Sequence, residues 1–284
     1  MGVKTKLTLT QAQKLFPKKA FTNIEATKYG VIDTTYIART KDDAFILKKY
    51  ERASTAQIKD EQKLLEQLHK NSLPVPKPLE SSQQWYLFTL LKGEIPHKIS
   101  LQQLRSVGRF LAKFHSAVFK QSHSFTPFQR ENYQKALSKL RKTNLYYSKR
   151  VAALNNFPTN HDGIIHGDLF CDNAKFDQAH LGVFDFIEAG NGSYAFDVGV
   201  VAMSWVAKKR LSRLQLDTLL KAYNQKIKKK ITMHELLTMI EYAALVYSLK
   251  RFLNPLSPLD YKEMLDVERK VQRFKKLHFY HKKS

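Results

Sequence analysis

Between Ile164 and Phe186 the chain carries three oxygen-bearing side chains, Asp168, Asn173 and Asp185, at separations that let them surround one point. The apolar pair Ile164-Ile165 reads as a strand ending at His166, and Gly167 and Asp168 open a tight loop. Asn173 starts a second short strand, and a return strand after the Asp177 to His180 turn delivers Asp185 at its far end. Phosphoryl transfer to an alcohol needs a carboxylate that orients and deprotonates the hydroxyl. It also needs oxygen ligands that hold magnesium against nucleotide phosphates. Capping of separate turns would account for each of the three residues alone, but not for their joint spacing.

The pattern H-x-D-x-x-x-x-N followed by D-F is that of a kinase catalytic loop and metal-binding turn. It predicts, earlier in the chain, a phosphate-binding lysine on a strand and a carboxylate on the following helix. In Ala44 to Tyr50, Ile46 and Lys48 share one face of the strand and Leu47 and Lys49 the other. Glu61 lies three residues after Ile58 and four before Leu65, on the apolar stripe of a helix, where an unpaired carboxylate is costly. Lys48 is the expected partner of Glu61, with Lys49 as the alternative. Gly30 is positioned to let backbone amides approach the phosphates, and the main chain of Thr89 to Leu91 to pair with adenine.

Other motifs fail. Gly190 to Ala195 matches G-x-G-x-x-A, but the first acid after Asp197 is Asp217, in a basic helical stretch where a dinucleotide fold needs a strand. His161, Asp162, His166, Asp168 and Cys171 lack the spacing of a zinc site, and the sequence contains no P-loop.

The elements that must position these residues divide the chain in two. Strands over Val31 to Arg39, Ala44 to Tyr50 and Trp85 to Leu91 surround one good helix that begins in a Ser54/Gln57 capping box and runs toward Asn71. After Lys92-Gly93 the pattern turns helical. It opens with a helix capped by Ser100 and striped by Leu104, Val107, Leu111, Phe114 and Val118, and continues over much of 131–155, 212–228, 233–252 and 259–277. The predicted organisation is an N-terminal nucleotide-binding lobe, 1–93, and a C-terminal catalytic and substrate-binding lobe, 94–284.

With 284 residues and 43% hydrophobic composition the chain can bury a sizeable core, and its one cysteine, Cys171, excludes an internal disulfide. Nothing reads as a membrane span or targeting signal, so a cytoplasmic location is expected. Lysine and arginine outnumber aspartate and glutamate by 48 to 25, giving a net charge of +23. Nine basic residues fall between Val206 and Lys230, where Leu211, Leu214, Leu219 and Leu220 recur at helical spacing. These lysines are expected to coat the wet face of an amphipathic helix, not a nucleic-acid groove, since no aromatic platform accompanies them.

His166-Gly167-Asp168-Leu169-Phe170 with Asp172-Asn173 and Phe184-Asp185-Phe186 resembles the aminoglycoside-phosphotransferase-like superfamily of small-molecule kinases. Within it the match is closest to the homoserine kinases of that fold. The likeness extends through Gly30 to Tyr36, Leu47 to Glu51, Leu73 to Pro78, Gly182 to Ala189 and Phe196-Asp197 to Ser204-Trp205. The resemblance implies an α+β, bilobal protein-kinase-like fold, with a small antiparallel-sheet N-lobe carrying one main helix and a larger, mostly helical C-lobe. It implies ATP and Mg²⁺ as cofactors and L-homoserine as acceptor. Asp168 would be the catalytic base, Asn173 and Asp185 the metal ligands, and Lys48 with Glu61 the phosphate-positioning pair. Asp197 would support the catalytic loop. A loop over Ala189 to Gly192, including Asn191, would shape the acceptor pocket, and Glu188 would meet an ammonium group. Rival expectations are another small acceptor on the same fold, such as an aminoglycoside, choline or methylthioribose, or a catalytically silent nucleotide- or nucleic-acid-binding module.

Overall fold

The computed structural model describes residues 4–27, 33–118, 130–156, 161–207, 211–253 and 261–277. In the N-terminal part, a helix α1 (Leu9–Leu15) starts in a capping box in which Thr8 and Gln11 satisfy each other's backbone N–H. It precedes β1 (Asn23–Ala26), β2 (Thr34–Arg39) and β3 (Ala44–Lys49). Helix α2 (Thr55–Lys70) follows, with Ser54 and Gln57 forming the expected capping box, and then come β4 (Pro78–Ser82) and β5 (Trp85–Thr89). The strands form one antiparallel sheet in the order β1-β2-β3-β5-β4.

Period-2 alternation gives this sheet two different faces. Tyr36, Ala38, Phe45, Leu47, Trp85 and Leu87 point to one side and form a small core with Leu7, Ala12, Phe16 and Phe21. Helix α1, absent from the expected elements, covers that face through Ala12. Ile46, Tyr86 and Phe88 point to the other side, toward Ile58, Leu64, Leu65 and Leu68 of α2. Lys48 belongs to this second set, so strand parity alone aims it at the cleft.

The connection to the C-terminal part is fixed by one residue. Gly93 has φ +91°, and a Cβ there would fall 2.3 Å from the carbonyl carbon of Phe176. The next residue, Glu94, exchanges backbone hydrogen bonds of 3.0 and 2.8 Å with Phe176. Beyond it α3 (Leu101–Ala117) is capped by Ser100 and Gln103, and its predicted stripe is fully buried. Helices α4 (Arg130–Thr143) and α5 (Leu145–Val151) lead to β6 (Gly163–Ile165), β7 (Ala174–Asp177), β8 (His180–Val183) and β9 (Gly190–Gly192). β7 pairs with β8, and β6 pairs with β9.

Helix α6 (Tyr194–Val201) is buried on nearly every side and continues as a π-helical turn over Ala202–Ala207. Around it lie α7 (Arg213–Asn224), α8 (Met233–Leu253) and α9 (Tyr261–Lys275). The α7 stripe departs from expectation. Ser212 caps the helix, so Leu211 precedes it, Leu214 is exposed, and the buried set is Leu216, Leu219, Leu220, Ala222 and Tyr223. Among the described residues no helix is long and apolar enough to cross a membrane. The fold is the protein-kinase-like arrangement of an antiparallel-sheet lobe and a helical lobe.

Candidate active site

The catalytic loop leaves β6 at His166 and is held from beneath by α6. Asp197 Oδ2 accepts the His166 N–H and Oδ1 accepts the Gly167 N–H, each at 2.9 Å. Burial works against an ionised Asp197, but the hydrogen bond from His115 Nε2, at 3.1 Å, and the His166 contacts outweigh it and hold the carboxyl below its usual range. Gly167 adopts φ +74°, a left-handed conformation that suits glycine, and its carbonyl accepts from the Tyr247 hydroxyl. Trp205 Nε1 donates to Leu169 O at 3.1 Å, fixing the far side of the loop.

His166 is buried, and burial lowers its pKa, so it stands neutral. Its Nε2 faces Phe184 O at 3.2 Å and carries the proton, because a carbonyl can only accept. Its Nδ1 then accepts the Asp168 N–H at 3.3 Å. One imidazole therefore joins the Asp168 loop to the strand end that bears Asp185.

Asn173 Nδ2 donates to Asp168 O at 2.8 Å and to Asp168 Oδ2 at 3.2 Å, fixing the carboxylate relative to its own loop. Desolvation by burial is the main influence on Asp168 and pushes its pKa up to about 7. Lys250 pulls the other way, while Glu188, Asp185 and Asp172 add to the rise. A carboxyl near neutrality is suited to general-base work.

Asp185 lies two residues beyond Val183, which pairs with Ala174, so Asn173 and Asp185 stand together at the open end of the β7–β8 hairpin. Asp185 has φ +66°, uncommon for a residue with a side chain and a form of strain that clusters at functional positions. Its Oδ1 accepts from Lys48 Nζ at 2.8 Å, and Lys48 also pairs with Asp33 Oδ2 at 3.2 Å. Burial of Lys48 opposes its charge, but Asp185, Glu61 and Asp33 more than offset this and raise its pKa. Burial raises Asp185 in turn, and Lys48 overcomes that and brings it down.

The expected direct Lys48–Glu61 pair is replaced by another arrangement. Glu61 is buried on α2 as predicted, but the hydroxyl donating to it is that of Tyr50. Lys48 Nζ sits 4.5 Å from the centre of the same Tyr50 ring and turns toward the two aspartates. Tyr50 satisfies the carboxyl without a formal ion pair, and Glu61 stays close enough to act electrostatically on Lys48. Burial holds the Glu61 carboxyl above its usual range despite Lys48. Lys49 points away, with Nζ 3.1 Å from Thr5 Oγ1.

Of the remaining expected residues, Gly30 lies outside the described residues. The Thr89 N–H is taken by Lys77 O at 3.1 Å, so the strand uses the donor expected to face adenine. Leu91 follows in the connecting segment, its side chain against Gly182. The expected loop around Asn191 is a strand instead, with Asn191 opposite Ile164 in the β6–β9 pair. Its glycines permit this: a Cβ on Gly192 would stand 2.5 Å from Ile165 Cδ1. Glu188 is beside the centre, but its partner is Lys250 Nζ, 3.1 Å away.

Sequence reasoning missed Asp33, Tyr247 and Lys250. Asp33 lies within the Gly30 to Tyr36 stretch of the resemblance, and an acid at the entrance of a strand neighbouring Lys48 was the available signal. Tyr247 and Lys250 carried none, since α8 reads as a buried helix and only packing brings its end to the loop.

Among the described residues no group of three or more histidine, cysteine, aspartate or glutamate side chains could hold a metal alone. The fit to magnesium is of a different kind. Asn173 Oδ1 and the Asp185 carboxylate are hard oxygen donors side by side at a half-exposed position, suited to a cation that keeps waters and shares phosphate oxygens. Across the cleft the arrangement provides a carboxylate base, two oxygen donors and a buried lysine, the parts that position and stabilise a transferring phosphoryl group.

Fold and site together define a bilobal, protein-kinase-like phosphotransferase. The chain belongs to the phosphotransferase enzyme family, whose sequence pattern matches residues 24–234. It is 25% identical over 240 residues to a homoserine kinase of Polaromonas naphthalenivorans, covering 71% of this chain and 72% of that protein. It is 27% identical over 218 residues to a homoserine kinase of Rhizobium meliloti, covering 67% and 65%. Its structure is similar to that of the amicoumacin kinase hAmiN in complex with AMP-PNP, Ca²⁺ and Ami, with TM-score 0.69, 14% identity and coverage of 95% and 92%. It is also similar to a microcompartment-associated aminopropanol kinase, with TM-score 0.66, 14% identity and coverage of 95% and 98%.

Proposed function

We propose that this phosphotransferase uses ATP to phosphorylate the hydroxyl of L-homoserine, forming O-phospho-L-homoserine and ADP in the cytoplasm. The observation that carries the kinase chemistry is Asp168, a carboxyl brought to about 7 and fixed by Asn173 beside Asp185 and Lys48. The acceptor is supported by the shared name of the curated relatives, each of which matches about two thirds of the chain.

In this reading the sheet and α2 form the nucleotide lobe, meeting the catalytic lobe at Gly93, and the main chain at Leu91 faces adenine. Lys48 holds the nucleotide phosphates, with Glu61 acting on it through the field across the Tyr50 ring. Asn173 and Asp185 hold Mg²⁺, which when bound neutralises charge on the phosphates. Asp168 orients the acceptor hydroxyl and takes its proton as the new O–P bond forms and the bond to the ADP oxygen breaks. Asp197 and His166 position this loop without touching substrate.

The test is ADP release with ATP and magnesium across L-homoserine, L-serine, choline, 3-amino-1-propanol, methylthioribose and kanamycin. L-homoserine is expected to give the highest kcat/KM. A higher value for any other acceptor overturns the homoserine assignment, and no ADP release with any of them overturns the kinase assignment.

A further inference from the structure

We infer that Lys250 and Glu188 form a zwitterion clamp beside the base, Lys250 taking the carboxylate and Glu188 the ammonium of a small hydroxy amino acid. The inference rests on the functional reading above and deepens it by assigning the acceptor's charged ends to residues of this chain.

The two side chains come from elements far apart in sequence. Lys250 stands in the last turn of α8, and Glu188 in the segment between β8 and β9. Their charged atoms are 3.1 Å apart, and each side chain is about one third exposed, at 35% and 33%. Such a pair is neither sealed in the core nor free on the surface, so it can open to exchange partners at modest cost.

Their place relative to the base is the second observation. Glu188 follows Asp185 by three residues, and Lys250 follows Tyr247 by three on α8. The Lys250 ammonium also lies 5.2 Å from the ring centre of Tyr247, whose hydroxyl bonds the Gly167 carbonyl. The pair therefore borders the loop that carries Asp168.

The charge pattern selects among acceptors. A ligand bearing carboxylate and ammonium on one carbon can insert between Lys250 and Glu188, leaving each charge paired again. A polycationic aminoglycoside or a quaternary ammonium alcohol could engage Glu188 but would set its positive charge beside Lys250 without bringing an anion for it. An amino alcohol lacking the carboxylate would offer Lys250 no anion in exchange for Glu188, and a hydroxy acid lacking the ammonium would offer Glu188 no cation in exchange for Lys250.

A bracing tie between α8 and the 184–189 segment would use the same contact, so the test must read selectivity. The purified full chain is assayed with ATP and magnesium on L-homoserine, on 3-amino-1-propanol, which lacks the carboxylate, and on 4-hydroxybutyrate, which lacks the ammonium. Analogues turned over too slowly are measured as competitive inhibitors of L-homoserine. Lys250→Met is expected to lower the L-homoserine to 3-amino-1-propanol kcat/KM ratio about 10- to 100-fold, mainly through KM for L-homoserine. Glu188→Gln is expected to do the same to the L-homoserine to 4-hydroxybutyrate ratio. Lys250→Gln serves if the methionine variant does not fold, and Lys250→Arg should restore most of the ratio.

Ratios that stay within about twofold of the parent in both charge-removing variants overturn the clamp, even if absolute rates fall, while leaving the kinase function intact. If the parent prefers L-serine to L-homoserine and the corresponding ratios still collapse, the clamp stands and the homoserine assignment falls. A parent that prefers choline or kanamycin overturns both.

Discussion

Lys48 Nζ stands 2.8 Å from Asp185 Oδ1, a contact between residues 137 positions apart that joins β3 of the sheet to the segment after β8 in the helical lobe. It brings together, across the cleft, the cation proposed to hold phosphates and a carboxylate proposed to hold magnesium. Asp33 closes the arrangement from the entrance of β2.

Lys48→Ala should abolish ATP-dependent turnover and lower the unfolding free energy by about 1–3 kcal/mol, because Asp33 loses its cation in a largely buried position and Asp185 in a more open one. Lys49→Ala removes only the contact to Thr5 and should cost less than about 0.5 kcal/mol. Urea denaturation of the two variants beside the parent checks this, and a reversed order would mean that β3 faces the other way.

Asp168 sets the pH behaviour. With a pKa of about 7, the base is ionised only as pH rises through neutrality, so kcat/KM should climb along an acid limb centred near 7, not near the ordinary carboxylate value. Stability runs in the opposite direction. The folded pKa lies above the unfolded one, so the folded state binds more protons and this group's contribution falls between about pH 4 and pH 7. Asp168→Asn should therefore cut turnover about 10²- to 10⁴-fold while unfolding at a higher temperature than the parent at pH 8. The difference should shrink at pH 5. Thermal unfolding at both pH values, run with the rate profile, tests both signs.

Tyr50→Phe removes the hydroxyl that donates to buried Glu61. Burial already holds the Glu61 pKa up, and loss of a donor to the ionised form raises it further. The variant should lose about 1–3 kcal/mol, with the larger loss at pH 8, where the carboxyl must ionise unaided. Equal losses at pH 5 and pH 8 would show that Tyr50 contributes only packing.

Asn173→Ala and Asp185→Ala should each raise the magnesium concentration needed for half-maximal rate, or abolish activity, since each removes an oxygen donor from a cation that also keeps waters. Titration of ADP release against free magnesium provides the measurement. Turnover that persists in excess chelator would remove the metal role from both residues.

The sequence by itself determined what depends on neighbours a few residues apart. Ser54 with Gln57 and Ser100 with Gln103 start their helices as read, because a capping box closes over three residues. Asn173 and Asp185 stand together because they flank one hairpin, with Asp168 five residues before Asn173 on the preceding loop, and period-2 alternation puts Lys48 and Lys49 on opposite faces of β3. Tertiary structure decided the partners. Glu61 was legible as a buried acid in need of a donor, but Tyr50 met that need and left Lys48 to Asp33 and Asp185. Tyr247 meets Gly167 across 80 positions and Lys250 meets Glu188 across 62, and α8 shows no local sign of either contact. Local hydrogen bonding and side-chain period are written into short stretches of chain. Which helix end closes on which loop is set only when apolar surfaces from distant segments pack together, because that burial has no directional code in any one segment.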